Sequence, residues 1–217
     1  MNQALKPTKK EIVTEFRTRE ILAAARRLVQ KLGAEAVTME EIAAAAGVAK
    51  GTVYLYFHGK EDLIQALISQ VGENMLAGIE AIVAGPGSPP EKIQQVASLL
   101  LDYLMRERAL FPAYARDILR RGRGASPAYW QHLQEMEENF VNLVTRLFAA
   151  GIESGQFIPA DPRLLTFLLR GMVRAVGYYQ MEEGQTEAVQ EALPVVLTLL
   201  SAGMTRQSQS SAEVPVV

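Results

Sequence analysis

Apolar residues recur every three or four positions along nearly the whole chain, and almost nowhere do they alternate. In ILAAARRLVQKLG, Ile21, Leu22, Ala25, Leu28, Val29 and Leu32 share one helical face, and Gly33 follows where a C-terminal cap belongs. Thr38 and Glu41 fit a Thr-x-x-Glu capping box, so a second helix is predicted from about 38. In it Ile42 and Ala45 face inward, and Gly47 breaks it. A third short helix is predicted over about 49–57. Glu61 and Asp62 then suit the positive end of a fourth, which runs to about Val83. GPGSPP at 85–90 reads as a loop.

The rest of the chain keeps the same period. EKIQQVASLLLDYLMRERALF is amphipathic, Pro112 forces a boundary or bend, and RRGRGASP at 120–127 is a loop. Ser126-Pro127 and Asp161-Pro162 are each a cap followed by a first-turn proline. After the first of these pairs, Leu133, Met136, Phe140, Leu143 and Leu147 step by three or four along a long helix. Thr186 opens a last helix that ends near Gly203 with Pro194 inside it, and TRQSQSSAEVPVV has the composition of a disordered tail. With no repeat and no convincing strand, the fold class is all-α, about nine helices. It divides into an N-terminal unit at 15–75, a helical body at 76–205 and a tail at 206–217.

Composition narrows the function. The chain has 217 residues, 49% of them hydrophobic, enough for a real core. It has no cysteine, and its two histidines, His58 and His132, lie far apart. There is no Gly-rich phosphate loop after a strand and no histidine–carboxylate cluster at metal-ligand spacing, so neither an enzyme, a metal nor a cofactor is expected. Glu135, Glu137, Glu138, Glu182 and Glu183 read as exposed helix faces. The start, MNQALKPTKKEIVTEF, lacks the apolar core of a signal peptide, and no apolar run reaches the ~18 residues of a membrane span; a cytoplasmic protein is expected. Charge is uneven. Residues 1–60 carry ten Lys/Arg against six Glu, a net +4, and residues 61–217 carry a net −6. A basic head on an acidic body suggests that the head meets a polyanion.

Two short helices joined at a glycine and preceded by a longer one describe a helix-turn-helix over 38–57, whose second helix enters the DNA major groove. Gly51 lets the backbone approach closely, and Lys50 reaches a guanine edge or a phosphate. Val53 and Phe57, four apart, pack inward, while Tyr54 points outward. Tyr56 and Lys60 suit phosphates at the rim, and Thr38 with its first-turn amides suits another. Spacing alone leaves open a small helical hairpin with half-buried tyrosines, in a ligand-binding or protein-interaction module without DNA binding.

The stretch TMEEIAAAAGVAKGTVYLYFHGKEDLI closely resembles the signature of the TetR family of transcriptional regulators, in the Thr38 start, AGV at 46–48, KGTVYLYF at 50–57 and KEDL at 60–63. The resemblance covers roughly residues 15–75. It implies that Lys50, Gly51 and Tyr54 face bases and that Thr38, Thr52, Tyr56 and Lys60 face the DNA backbone. Ala49 stands where the family often has a hydroxyl, and His58-Gly59 replaces a more usual polar pair. The resemblance further implies a homodimer that binds a palindromic operator, most simply as a repressor, and is released by a small-molecule effector. Gly171, Ala175 and Gly177 permit close helix approach, and Val189, Leu193, Val196, Leu197 and Leu200 suit a four-helix, two-fold interface with them. Pocket candidates are Leu101, Met105, Phe111, Tyr114, Trp130, Phe140, Met172 and Tyr178. The basic run Arg116, Arg120, Arg121 and Arg123 reads as a solvated helix end.

Overall fold

The computed structural model describes residues 8–183, 192 and 194–200. Eight helices follow one another: α1 Lys9–Leu32, α2 Met39–Ala45, α3 Lys50–Tyr54, α4 Lys60–Ala84, α5 Pro89–Arg106, α6 Phe111–Leu119, α7 Pro127–Glu153 and α8 Pro162–Glu183. Residues 194–200 are helical again, Pro194 included, and the described residues contain no strand. The expected start of that last helix at Thr186, its end near Gly203 and the tail at 206–217 lie outside the described residues.

Helix boundaries follow local chemistry. At α2 the Glu41 N–H donates to the Thr38 hydroxyl oxygen at 3.3 Å while Glu41 accepts from the Thr38 N–H at 2.9 Å, which completes the capping box. Ser88 and Glu91 build a one-directional version of that start for α5, since the Ser88 N–H and hydroxyl both donate to the Glu91 carboxylate. Pro89 and Pro90 are therefore the first turn of α5, where a missing N–H costs nothing, rather than the end of a loop. Ser126 accepts from the Tyr129 N–H at 3.2 Å and Asp161 from the Arg163 N–H at 2.8 Å, so both cap-plus-proline pairs do open helices.

The chain forms two compact units. The first holds residues 1–74 and 106–135, the second 75–105 and 136–217, so the boundaries fall inside α4 and α7 and before the last residue of α5. In the first, Ile21, Ala24, Ala25 and Val29 of α1 are buried, as are Ile42 of α2, Val53 of α3 and Leu63 and Leu67 of α4. Two residues depart from the expected face. Ala45 is exposed, because the buried positions of α2 are Met39, Ile42 and Ala43 and position 45 falls off that arc. Leu32, in the last turn of α1, is 44% exposed.

Residues 106–135 are tied by ions to α1, to the turn before α2 and to α4. Arg26 pairs with Glu107, a carboxylate that would be costly to bury without a partner. Arg116 reaches Glu35 at 3.0 Å and Glu61 at 2.7 Å, so it is a bridging residue rather than a solvated helix end. The Tyr129 hydroxyl donates to buried Asp117 at 3.0 Å, and burial followed by the Asp117 charge pushes the Tyr129 phenol well above its usual range. Between them, the loop after α6 passes Arg121, Gly122 and Gly124 through the left-handed region, and a Cβ on Gly122 would collide with the Trp130 indole.

In the second unit, Arg170 and Arg174 of α8 both donate to Glu137 of α7, at 2.7 and 2.8 Å, and the Thr145 and Thr166 hydroxyls pair at 3.0 Å. Phe148 and Phe157 pack with ring centroids 5.2 Å apart, and Phe157 lies directly on Gly151. A methyl group at position 151 has no room, because ring carbons cannot flex away as a chain end does. Gly151→Ala should lower stability by about 1–3 kcal/mol through overpacking, read as a fall in Tm with the helical circular dichroism of the folded state retained.

Candidate nucleic-acid interface

The surface of interest is made by α2, the turn after it and α3. Gly47 has φ +67°, and the N–H groups of Gly47 and Val48 return to Ala44 and Ala43 at 3.1 and 3.0 Å. That left-handed residue ends α2 and redirects the chain at little steric cost. The anchors are apolar: Val53 is fully buried and Phe57 is 5% exposed, as their four-residue spacing demands. With those two inside, the opposite face of α3 must point out. Lys50, Gly51 and Tyr54 are exposed, and Thr52, Tyr56 and Lys60 are partly so. Tyr54 at 43% is neither core nor fully solvated.

Gly51 is informative through what the fold does not ask of it. Its φ is not left-handed, and a Cβ built there meets nothing within 4 Å. Glycine weakens a helix relative to alanine by roughly 0.5–1 kcal/mol. Nothing inside the molecule accounts for its use in a helix only five residues long, whereas close approach of a partner's backbone or base edges would.

Electrostatics adds residues that the sequence reading passes over. The Lys50 ammonium donates to Glu40 of α2 and lies 5.9 Å from the centre of the Tyr54 ring. The hydrogen bond from Lys50 holds the Glu40 carboxyl below the usual carboxylate range, and Glu40 raises Lys50 in return. Hydrogen bonds from the Thr38 hydroxyl and N–H likewise hold Glu41 low. Lys60 donates to the Glu35 carbonyl at 2.6 Å and so braces the turn before α2. The Thr38 hydroxyl is engaged in its cap, and Ala49, the N-cap of α3, makes no side-chain cap. Leu55 is 81% exposed beside Tyr54 and offers an apolar contact that the helical period alone does not mark. Glu40 was equally hard to find, because an acid in a first helical turn already has a sufficient explanation in the helix dipole.

The other candidates are distributed between the units. Phe111, Tyr114 and Trp130 lie in the first, with the Phe111 and Tyr114 rings 6.1 Å apart. Leu101, Met105, Phe140, Met172 and Tyr178 lie in the second, where Leu101 and Phe140 are buried. On α8, Gly171 and Ala175 are exposed, but Val196 and Leu200 are covered by the chain's own residues while Val195 and Leu199 are 57% and 56% exposed. Val189 and Leu193 lie outside the described residues. A cleft of about 330 Å³ in the first unit is lined by Arg19, Ala23, Arg26, Arg27, Gln30 and Gln70 and contains none of the pocket candidates. Among the described residues, no cluster of His, Cys, Asp or Glu could hold a metal, and no helix is long and apolar enough to cross a membrane.

Known proteins share this arrangement. Residues 21–67 match the family described as bacterial regulatory proteins, tetR family, and residues 86–201 match a tetracyclin repressor-like C-terminal domain. The uncharacterized HTH-type transcriptional regulator YfiR of Bacillus subtilis (strain 168) is 26% identical over 86% of this chain and 93% of its own. A fatty acid metabolism regulator protein of the same organism is 25% identical over 71% and 78%. The crystal structure of a TetR/AcrR-family transcriptional regulator from Thermobifida fusca superposes with a TM-score of 0.73 at 26% identity, over 86% of this chain and 97% of that one.

Because the space at Gly51 is open on the protein side, Gly51→Ala should leave Tm unchanged or slightly raised and weaken operator binding at least tenfold. Thermal melts and fluorescence anisotropy on the same samples separate the two effects; unchanged DNA affinity would remove Gly51 from the interface.

Proposed function

The chain belongs to the tetR family of bacterial regulatory proteins, and we propose that it acts in the cytoplasm as a homodimeric repressor that leaves a palindromic operator when a small-molecule effector binds. The family is one of DNA-binding, ligand-responsive transcriptional regulators. The observation that carries the reading is the two-sided character of α3 and the turn after it: Val53 and Phe57 buried, Lys50, Gly51 and Tyr54 outside. We assign DNA binding to residues 15–75, with Lys50, Gly51 and Tyr54 toward bases and Thr38, Thr52, Tyr56 and Lys60 toward the phosphates. We assign effector binding and dimerisation to residues 76–205. Lys60 would serve the backbone while bracing the turn at Glu35, which suits a positioning contact rather than base reading.

One head offers few contacts for a specific site at physiological salt, and a two-fold dimer presents two of them about 34 Å apart. A face for that dimer is supported by a stripe of exposed residues along α8. Leu164, Leu168, Gly171, Ala175 and Tyr179 recur at helical spacing, and Val195 and Leu199 are the exposed apolar residues of the segment at 194–200. Small residues in the middle of the stripe let two backbones come close, and the apolar ones around them would be costly to leave in water. Val196 and Leu200 then belong to the protomer's own packing. The effector shifts DNA affinity only by its difference in affinity for the two conformations of the dimer, and Leu101, Met105, Phe140, Met172 and Tyr178 suit one with a sizeable apolar part.

Gel-shift and anisotropy titrations on the promoter beside the gene test the whole reading; absence of binding in low salt at any concentration would end it. Tyr54→Ala should retain general DNA affinity and lose sequence preference. Lys60→Ala should weaken binding to all sequences alike and reduce the slope of log K against log salt by about one phosphate contact. Ala175→Arg should convert the dimer to a folded monomer in sedimentation and abolish specific binding at concentrations where wild type saturates its operator.

A further inference from the structure

Within the DNA-binding reading above, on which this inference rests, the contact between α2 and α3 carries more information than packing. Lys50 is the cation at the base-facing start of α3, and its ammonium is engaged by Glu40. Both side chains are largely in solvent, at 52% and 60% exposure, so neither burial nor core packing requires the pair. An exposed ion pair contributes little to stability. A carboxylate on a surface that meets phosphates opposes binding unless it finds a donor there. Glu40 is not needed by the cap of α2 either, since Thr38 and Glu41 complete that box between themselves.

In the major groove a G·C pair presents the guanine O6 and N7 acceptors beside the cytosine N4 amino donor. Lysine suits the first and glutamate the second, whereas an A·T pair sets the adenine N6 amino donor between two separate acceptors, adenine N7 and thymine O4, and gives lysine no adjacent pair of acceptors. Lys50 and Glu40 in contact present a donor and an acceptor side by side, with the Tyr54 ring flanking the ammonium. We propose that Glu40 and Lys50 together read one G·C base pair in each operator half-site, Glu40 accepting from the cytosine amino group while Lys50 donates to the guanine. Where guanine or thymine stands in the cytosine's place, Glu40 faces an acceptor or a methyl group, keeps Lys50 for itself, and withholds one cation from the phosphates. The carboxylate therefore gives specificity partly by penalising the wrong sequence.

The test is selection from a pool of random duplexes with the full-length wild type and with Glu40→Gln, followed by salt titrations on a duplex lacking the selected motif. Wild type should select a motif with one G·C pair at a symmetric position of each half-site, where exchange for A·T weakens binding roughly tenfold. Glu40→Gln should flatten or change the preference at that position alone, bind the motif-free duplex several-fold tighter, and steepen its salt slope by up to about one contact. Glu40→Ala should likewise lose the preference, and equal melting temperatures of the three proteins show that folding is not the cause. A Glu40→Gln motif identical to wild type at every position, or unchanged affinity for the motif-free duplex, would overturn the proposal. A wild-type protein that selects no motif in low salt would instead sink the DNA-binding reading itself.

Discussion

The interface depends on one constraint: α3 is too short to be stable by itself and is held only by what it buries. An isolated helix of five residues does not persist in water. Val53, inside that helix, and Phe57, just beyond it, anchor α3 in the first unit's core, and Gly47 supplies the left-handed turn that aims it. Fixing Val53 inward puts Gly51 on the far side of α3 and Tyr54 on its flank, while Lys50 reaches out from the first position of the helix. Orientation of the exposed side chains is thus a consequence of core packing, which explains how a small exposed surface can be preorganised without a large interface of its own.

Charge follows the same division. The first compact unit gains six arginines against three acids from residues 106–135, for a net +4, while the second unit carries −6. Two arginines of the first unit hold it together. Arg26 neutralises buried Glu107, and Arg116 bridges Glu35 and Glu61, which lie at the turn before α2 and the first turn of α4. Lys60 meets the same turn through the Glu35 carbonyl. Contacts from α6 and from α4 therefore converge on the short stretch that introduces the helix-turn-helix.

Much of the fold was legible in the residues. Capping pairs at Thr38–Glu41, Ser126–Pro127 and Asp161–Pro162 set helix starts, since a cap is a local hydrogen bond whose partners lie within three residues. The same chemistry at Ser88–Glu91 was hidden by the two prolines between them, which look like a loop until the cap is seen. Ala45 was assigned to the wrong face because alanine gives a periodic argument almost nothing to register, and four of them in a row fit any phase. The outward face of α3 followed from the spacing of Val53 and Phe57 and from the family signature.

The sequence by itself determined the helical class, the caps at Thr38, Ser126 and Asp161, and a short third helix with Lys50, Gly51 and Tyr54 exposed, because each rests on neighbours within one or two helical turns. Tertiary structure alone decided that Lys50 is held by Glu40 ten residues earlier, that residues 106–135 pack with the head, that Trp130 lies on Gly122, and that Val196 and Leu200 turn inward. Those outcomes depend on which surfaces meet once the helices are formed. That choice is made by summed burial over distant segments, and no local period or spacing records it.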